Sequence, residues 1–128
     1  MGTLDEFASE FDRCWLCGTM ARNTWPPKLE IHHIVRGQNR KKAREERCAL
    51  IRSCQRCHQV HLDSMPIAAQ LALKLRNDHA YYMREKVNVL RGRAPGAITD
   101  IDVGKAVSEF DRMAEETESD FPFPRWRW

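Results

Sequence analysis

Four of the five cysteines fall into two pairs, Cys14 with Cys17 and Cys54 with Cys57, each with two residues between its members. Between the pairs lies LEIHHIV, Leu29 to Val35, with adjacent imidazoles at His32 and His33. The second pair runs straight on into CHQVH, which adds His58 and His61. A CxxC turn presents two thiolates to one ion, and two such turns make the donor set of a tetrahedral structural zinc. A cluster of imidazoles beside such a zinc points to a second, catalytic metal.

Disulfides are the competing use for four paired cysteines. The opening MGTLDEFASEFDR is charged and amphipathic, with no apolar signal segment, and no membrane-spanning run follows. A reducing cytoplasm is therefore expected, where thiols at this spacing bind metal. The 128 residues allow one domain with a modest core. A CxxC-clipped unit of about fifty residues gains little from apolar burial, and zinc supplies what that core lacks. The remaining thiol, Cys48, reads as a small apolar side chain or an inert free thiol.

The net charge of +3 is small, but its distribution is uneven. Between Arg36 and Arg56 stand eight basic residues, among them Arg36, Arg40, Lys41, Lys42 and Arg44, against only Glu45 and Glu46. Taken alone, such a run is a solvated loop. Here it joins the histidine pair to the second cysteine pair, so its positive potential lies where a phosphodiester would sit. The C-terminal part is acidic instead, with Glu115, Glu116, Glu118 and Asp120 close together.

The elements that must position these groups read as follows. Asp5 to Arg13 forms a short helix or turn with Phe7 and Phe11 on one side, and Gly18 closes the first cysteine turn. Trp25-Pro26-Pro27 punctuates the chain before a strand at Leu29 to Val35, and Gly37-Gln38-Asn39 ends it. A shorter strand over Cys48 to Ile51 and a helix from Cys57 to about Leu62 complete a hairpin followed by a helix. Ile67, Leu71 and Leu75 recur at helical spacing after Pro66, which suits a first helical turn. Met83, Val87 and Leu90 repeat the pattern before Gly92, and Val107, Phe110 and Met113 mark a last helix from about Gly104 to Thr117. Met83, Phe110 and Met113 are expected in the core, and His79 in solvent. The alternation of Trp and Arg at Arg125 to Trp128 could stack on bases, although an exposed terminal tail is the commoner case.

CWLCG, LEIHHIV and CALIRSCQRCHQVHL, in that order, resemble the HNH endonucleases of the ββα-metal or His-Me finger type, in the subgroup stapled by a four-cysteine zinc. The resemblance covers residues 14 to 62 and extends to phage and bacterial DNA endonucleases, restriction enzymes and homing endonucleases. It implies that His32 binds a catalytic metal, that His33 is the general base, and that His58 binds the metal from the helix with His61 assisting one turn on. The middle Asn of the family motif falls on Ala49 here. That departure removes the residue which pins the hairpin loop and helps orient the base. Asn39 is the loop residue that could stand in for it.

The chemistry follows from the residues themselves. The oxygens of a phosphodiester repel a nucleophile, and its ribose oxygen is a poor leaving group. One divalent ion on His32 and His58 can neutralise the charge that develops, while neutral His33 takes a proton from water. Adjacent strand residues point to opposite faces, so His32 and His33 serve one phosphate only at a twisted or bulged strand end. The expected protein is α+β. A zinc-stapled ββα-metal core spans residues 1–65, a helical extension packs on it over 66–117, and 118–128 form a tail. The expected activity is a DNA endonuclease in a bacterial or phage-infected cell, monomeric or homodimeric, using Mg2+, Mn2+, Ni2+ or Zn2+. A non-catalytic zinc module that binds nucleic acid is the alternative, and Ala49 is the residue that favours it.

Overall fold

Asp5 and Glu6 suit the first turn of helix α1 (Thr3–Glu10), where they oppose the positive end of the helix dipole. The computed structural model describes residues 2–124, so the Trp-Arg alternation at Arg125 to Trp128 lies outside the described residues. Helix α1 buries Phe7, whose ring centroid lies 5.2 Å from that of Phe11 and 5.6 Å from that of Trp15. It stops at Glu10 rather than Arg13 because Phe11 turns to extended backbone and meets Trp15 edge-on at 5.0 Å.

The first cysteine turn is closed by Cys14 N–H donating to Thr19 O and Gly18 N–H donating to Cys14 O, both at 2.9 Å. Gly18 has φ +78, and the ring of Phe121 fills the space a Cβ would take, so conformation and packing both require glycine.

Strand β1 (Glu30–His33) runs antiparallel to β2 (Leu50–Ser53), with Glu30 opposite Ser53 and His33 opposite Leu50. Both strands differ from their expected spans. Gly37, at φ +73, turns the chain soon after β1, and the single turn of α2 (Arg40–Ala43) follows, anchored by buried Ala43. Arg47–Ala49 curl into a 3-10 turn instead of starting a strand. Strand β2 then runs on to Ser53, where the Arg52 guanidinium donates to the carbonyls of Phe11 and Leu29, each at 3.1 Å. Cys54 caps helix α3 (Gln55–Val60) through its Sγ, which accepts from Cys57 N–H at 3.4 Å, so the helix begins before Cys57.

Helix α4 (Ile67–Asn77) packs on β2 and on α6 (Asp100–Glu116), and α5 (Arg84–Leu90) lies between them in sequence. Pro66 stands at the N-cap of α4. Helix α6 starts earlier than Gly104 because Thr99 and Asp102 form a capping box, each side chain accepting from the other's backbone N–H. Phe110 is buried and Met113 partly so, but Met83 is 41% exposed at the N-cap of α5, not in the core. His79 is exposed as expected.

Leu62, Leu71, Val87 and Phe110 share one buried cluster with Phe7, Leu16, Ile34 and Ile51. The boundary between 65 and 66 therefore falls inside one packed unit. Residues 118–124, expected only as tail, also pack back. Phe123 N–H donates to Leu16 O at 2.9 Å beside the first cysteine turn.

An ionic cluster joins α1 to α4. Lys74, fully buried, donates to Arg47 O at 2.8 Å and to Asp78 at 3.1 Å, and its Nζ lies 4.9 Å from the Phe7 ring centroid. Burial pushes its pKa down to about 8, against the pull of Asp78. Arg47 grips Asp78 with two nitrogens at 3.1 Å and also reaches Glu10. Arg47 and Arg52 thus belong to the architecture and leave the solvent-facing basic run. No helix among the described residues is long and apolar enough to cross a membrane.

Candidate metal centres

The sulfurs of Cys14, Cys17, Cys54 and Cys57 lie within 4.8 Å of one another, and all four residues are buried. Zinc–sulfur bonds of about 2.3 Å in a tetrahedron require edges of about 3.8 Å. The Cys17 and Cys54 sulfurs are 3.8 Å apart, and none of the five cysteines is in a disulfide. Cys17 Sγ donates to Thr19 Oγ1 at 3.1 Å, and Cys54 Sγ accepts from the Cys57 N–H. This set could hold a structural zinc. Cys48 takes no part: it is buried in the core, and that burial pushes its pKa up, as suits an inert thiol.

A second donor set forms at the hairpin. One ligand atom each from His32, His58 and Asp63 lies within 4.8 Å of the others. His32 is 1% exposed, and its Nε2 sits 2.8 Å from Gln70 Oε1, an amide fixed by its own donation to Met65 O at 2.8 Å. Facing a carbonyl-type oxygen, Nε2 must donate, which leaves Nδ1 with its lone pair. His58 is oriented likewise: Nδ1 lies 2.7 Å from Glu30 Oε1, leaving Nε2 as the free donor atom. Asp63 Oδ1 is 3.8 Å from that Nε2, too long for a hydrogen bond but within the span of two ligands bound at about 2.0–2.2 Å to one ion. Imidazoles tied at the far nitrogen by an amide and a carboxylate are the usual second layer of a metal site. Burial also pushes His32 down to about 4, which keeps it neutral. The residues fit a divalent ion.

His61 does not join this set. His61 is the C-cap of α3, its backbone still helical and its N–H bonded to Cys57 O at 2.9 Å, but its ring is engaged elsewhere. Its ring stacks on Phe123 with centroids 4.3 Å apart, toward the cysteine cluster. Asp63, in the turn Leu62–Ser64, takes the place that sequence reasoning gave to His61. The one sequence signal for it is a carboxylate just past the end of the histidine-bearing helix. Gln70 and Glu30 carried no signal, since their roles depend on which elements pack together.

His32 and His33 both line one cavity of about 310 Å³, with His58, Arg36, Gly37 and Arg40. The strand ends at His33 and the chain turns at Gly37, so the two imidazoles share an opening despite being neighbours. His33 Nε2 lies 3.1 Å from the carbonyl of Arg44, to which it must donate, and Nδ1 is left to accept a proton. Burial lowers its pKa, the bond to the Arg44 carbonyl works against that, and the side-chain charges of Arg40 and Arg44 push down with burial. Arg36, Arg40, Lys41, Lys42 and Arg44 are all exposed, and Arg36 contacts Asp63 at 3.4 Å. Asn39 points elsewhere: its Nδ2 donates to Arg91 O at 3.0 Å. Ala49 is fully buried, and its carbonyl accepts from Ile34 N–H at 2.9 Å.

No protein-family model matches this chain, and no curated protein or solved structure matches it either.

Proposed function

We propose that this protein is a divalent-metal-dependent DNA endonuclease with a zinc-stapled ββα-metal core of the HNH type. The observation that carries the reading is the convergence of His32, His58 and Asp63 in the opening that also holds a backbone-oriented His33. His32, His58 and Asp63 would hold the divalent ion. When bound, it supplies a Lewis acid for charge developing on the phosphate.

The protein's own groups do the rest. Arg36 and Arg40, at the cavity, and Lys41, Lys42 and Arg44, on the adjoining loop, draw in the phosphate backbone by charge. His33 accepts a proton at Nδ1 from the attacking water while Nε2 stays bonded to the Arg44 carbonyl. That carbonyl orients the imidazole, a task for which Ala49 offers no side chain. The water oxygen bonds to phosphorus as the bond to the ribose oxygen breaks, and the departing oxygen takes a proton from solvent.

The second reading, a zinc module that binds nucleic acid without cutting it, rests on Ala49. One experiment separates the two. Supercoiled plasmid is incubated with the wild type and with His33→Ala in Mg2+, Mn2+, Ni2+ and Zn2+. Nicking or linearisation by wild type, reduced about a hundredfold or more in His33→Ala, supports the endonuclease. Absence of cutting in every ion, with DNA binding intact, assigns the second reading.

A further inference from the structure

Beyond the cavity at the candidate metal site lies a second one of about 500 Å³, lined by Arg36, Gln38, Arg91 and Arg93, together with Asp63 and Gln70. Arg36 lines both cavities. Gln70 bonds to His32, and Asp63 belongs to the donor set, so the two openings meet at the candidate metal site. Arg91 and Arg93 come from the end of α5, far in sequence from the basic loop.

Their placement is built in. Asn39, from the turn after β1, donates to Arg91 O at 3.0 Å. Gly92 sits at φ +76, and a Cβ there would come within 2.9 Å of that Asn39 amide nitrogen. The left-handed glycine thus lets the loop after α5 close on the hairpin loop and sets a guanidinium on each side of it. Neither Arg91 nor Arg93 has a carboxylate partner among the described residues. Arg91 is partly buried, and that burial lowers its pKa, as does the charge of Arg93 beside it. Like charges held together in a recess, with two fork-shaped donors and an amide at hand, favour an anion with several acceptor oxygens. Ile34, Met65 and Ile67 give the same cavity apolar wall, which suits a sugar more than a free ion.

We infer that this cavity seats a backbone phosphate flanking the scissile one, with its sugar against the apolar wall, so that the cut strand crosses from the hairpin to the end of α5. The inference rests on the nucleic-acid reading of the metal cavity and extends it to residues outside the HNH-like segment.

The test uses the full chain. Anisotropy of a labelled DNA duplex, without added divalent metal, is measured against salt for wild type, for Arg91→Ala/Arg93→Ala, and for Lys105→Ala/Arg112→Ala as a charge-matched control on α6. Circular dichroism verifies the fold of each. The cavity variant should bind about tenfold more weakly or worse, with a salt slope smaller by about one unit per lost contact, while the control changes less. Where wild type cuts, KM should rise more than kcat. Equal salt slopes for wild type and cavity variant overturn the inference and leave the endonuclease reading standing. Binding without cutting, with the slope still dependent on Arg91 and Arg93, supports the seat while catalysis fails. Displacement of the duplex by inorganic phosphate at constant ionic strength, lost in the cavity variant, assigns the cavity to a free anion and overturns the strand seat.

Discussion

Gln70, on α4, holds His32, on β1, from behind: its Oε1 lies 2.8 Å from Nε2, across a sequence separation of 38 residues. A helix outside the histidine-bearing segment therefore sets the tautomer and ring angle of a candidate metal ligand. Gln70→Ala should weaken divalent-metal binding by about ten- to a hundredfold without releasing the structural zinc. Isothermal titration with Mn2+, together with zinc analysis of the same sample, checks both halves of the expectation. Unchanged affinity would reduce Gln70 to a packing residue.

The acid limb of kcat/KM should lie below the ordinary imidazole value near 6.5. Burial of His33, reinforced by Arg40 and Arg44, disfavours its protonated form, so the folded pKa is lowered and the neutral base survives to lower pH. Arg40→Ala/Arg44→Ala should move the limb upward, toward 6.5, by removing two nearby positive charges. A pH–rate profile of plasmid cleavage reads this directly. A limb above 6.5 in the wild type would argue against His33 as the base.

The purified protein should contain one zinc per chain on Cys14, Cys17, Cys54 and Cys57. Cys54→Ser should lose it and lose structure in the first half, because Cys54 is at once a member of the candidate zinc set and the cap of α3. Native mass spectrometry gives the stoichiometry, and hydrogen exchange locates the damage. A disulfide between any of these residues in freshly reduced protein would sink the assignment.

Asp78→Ala should destabilise the fold by about 3–5 kcal/mol, since it leaves the buried ammonium of Lys74 without its carboxylate and Arg47 with Glu10 alone. Replacing Lys74 and Asp78 together, Lys74→Met with Asp78→Ala, should cost less than Asp78→Ala alone. Urea denaturation of Asp78→Ala, of Lys74→Met and of the double variant tests the coupling, and additive effects would show that the cluster is not one unit.

The cysteine turns were legible because the donor spacing is local: two residues between thiols fix a turn whatever else the chain does. The histidines on β1 and α3 were legible for the same reason, as was the α+β character of the fold. Asp63, in the candidate donor set, lies in the turn after α3, and its approach to His58 depends on how that turn folds back, which helical spacing does not encode. Gln70, Arg91 and Arg93 enter the two cavities through the docking of α4 and α5, which no local spacing encodes. The early start of α6 is a different case. Thr99 and Asp102 spell a capping box in the sequence, starting eight residues ahead of the apolar spacing that begins at Val107.

Phe121 and Phe123 lie over the first cysteine turn, one ring against Gly18 and one backbone N–H on Leu16. During synthesis the chain emerges from its N-terminus, so all four thiols are outside the ribosome well before these aromatics follow. Zinc can load while its site is open, and the aromatic cover follows, so exchange should slow once Phe121 and Phe123 are in place. A chain ending at Thr117 should accordingly take up zinc but trade it faster for an added isotope than the full chain does.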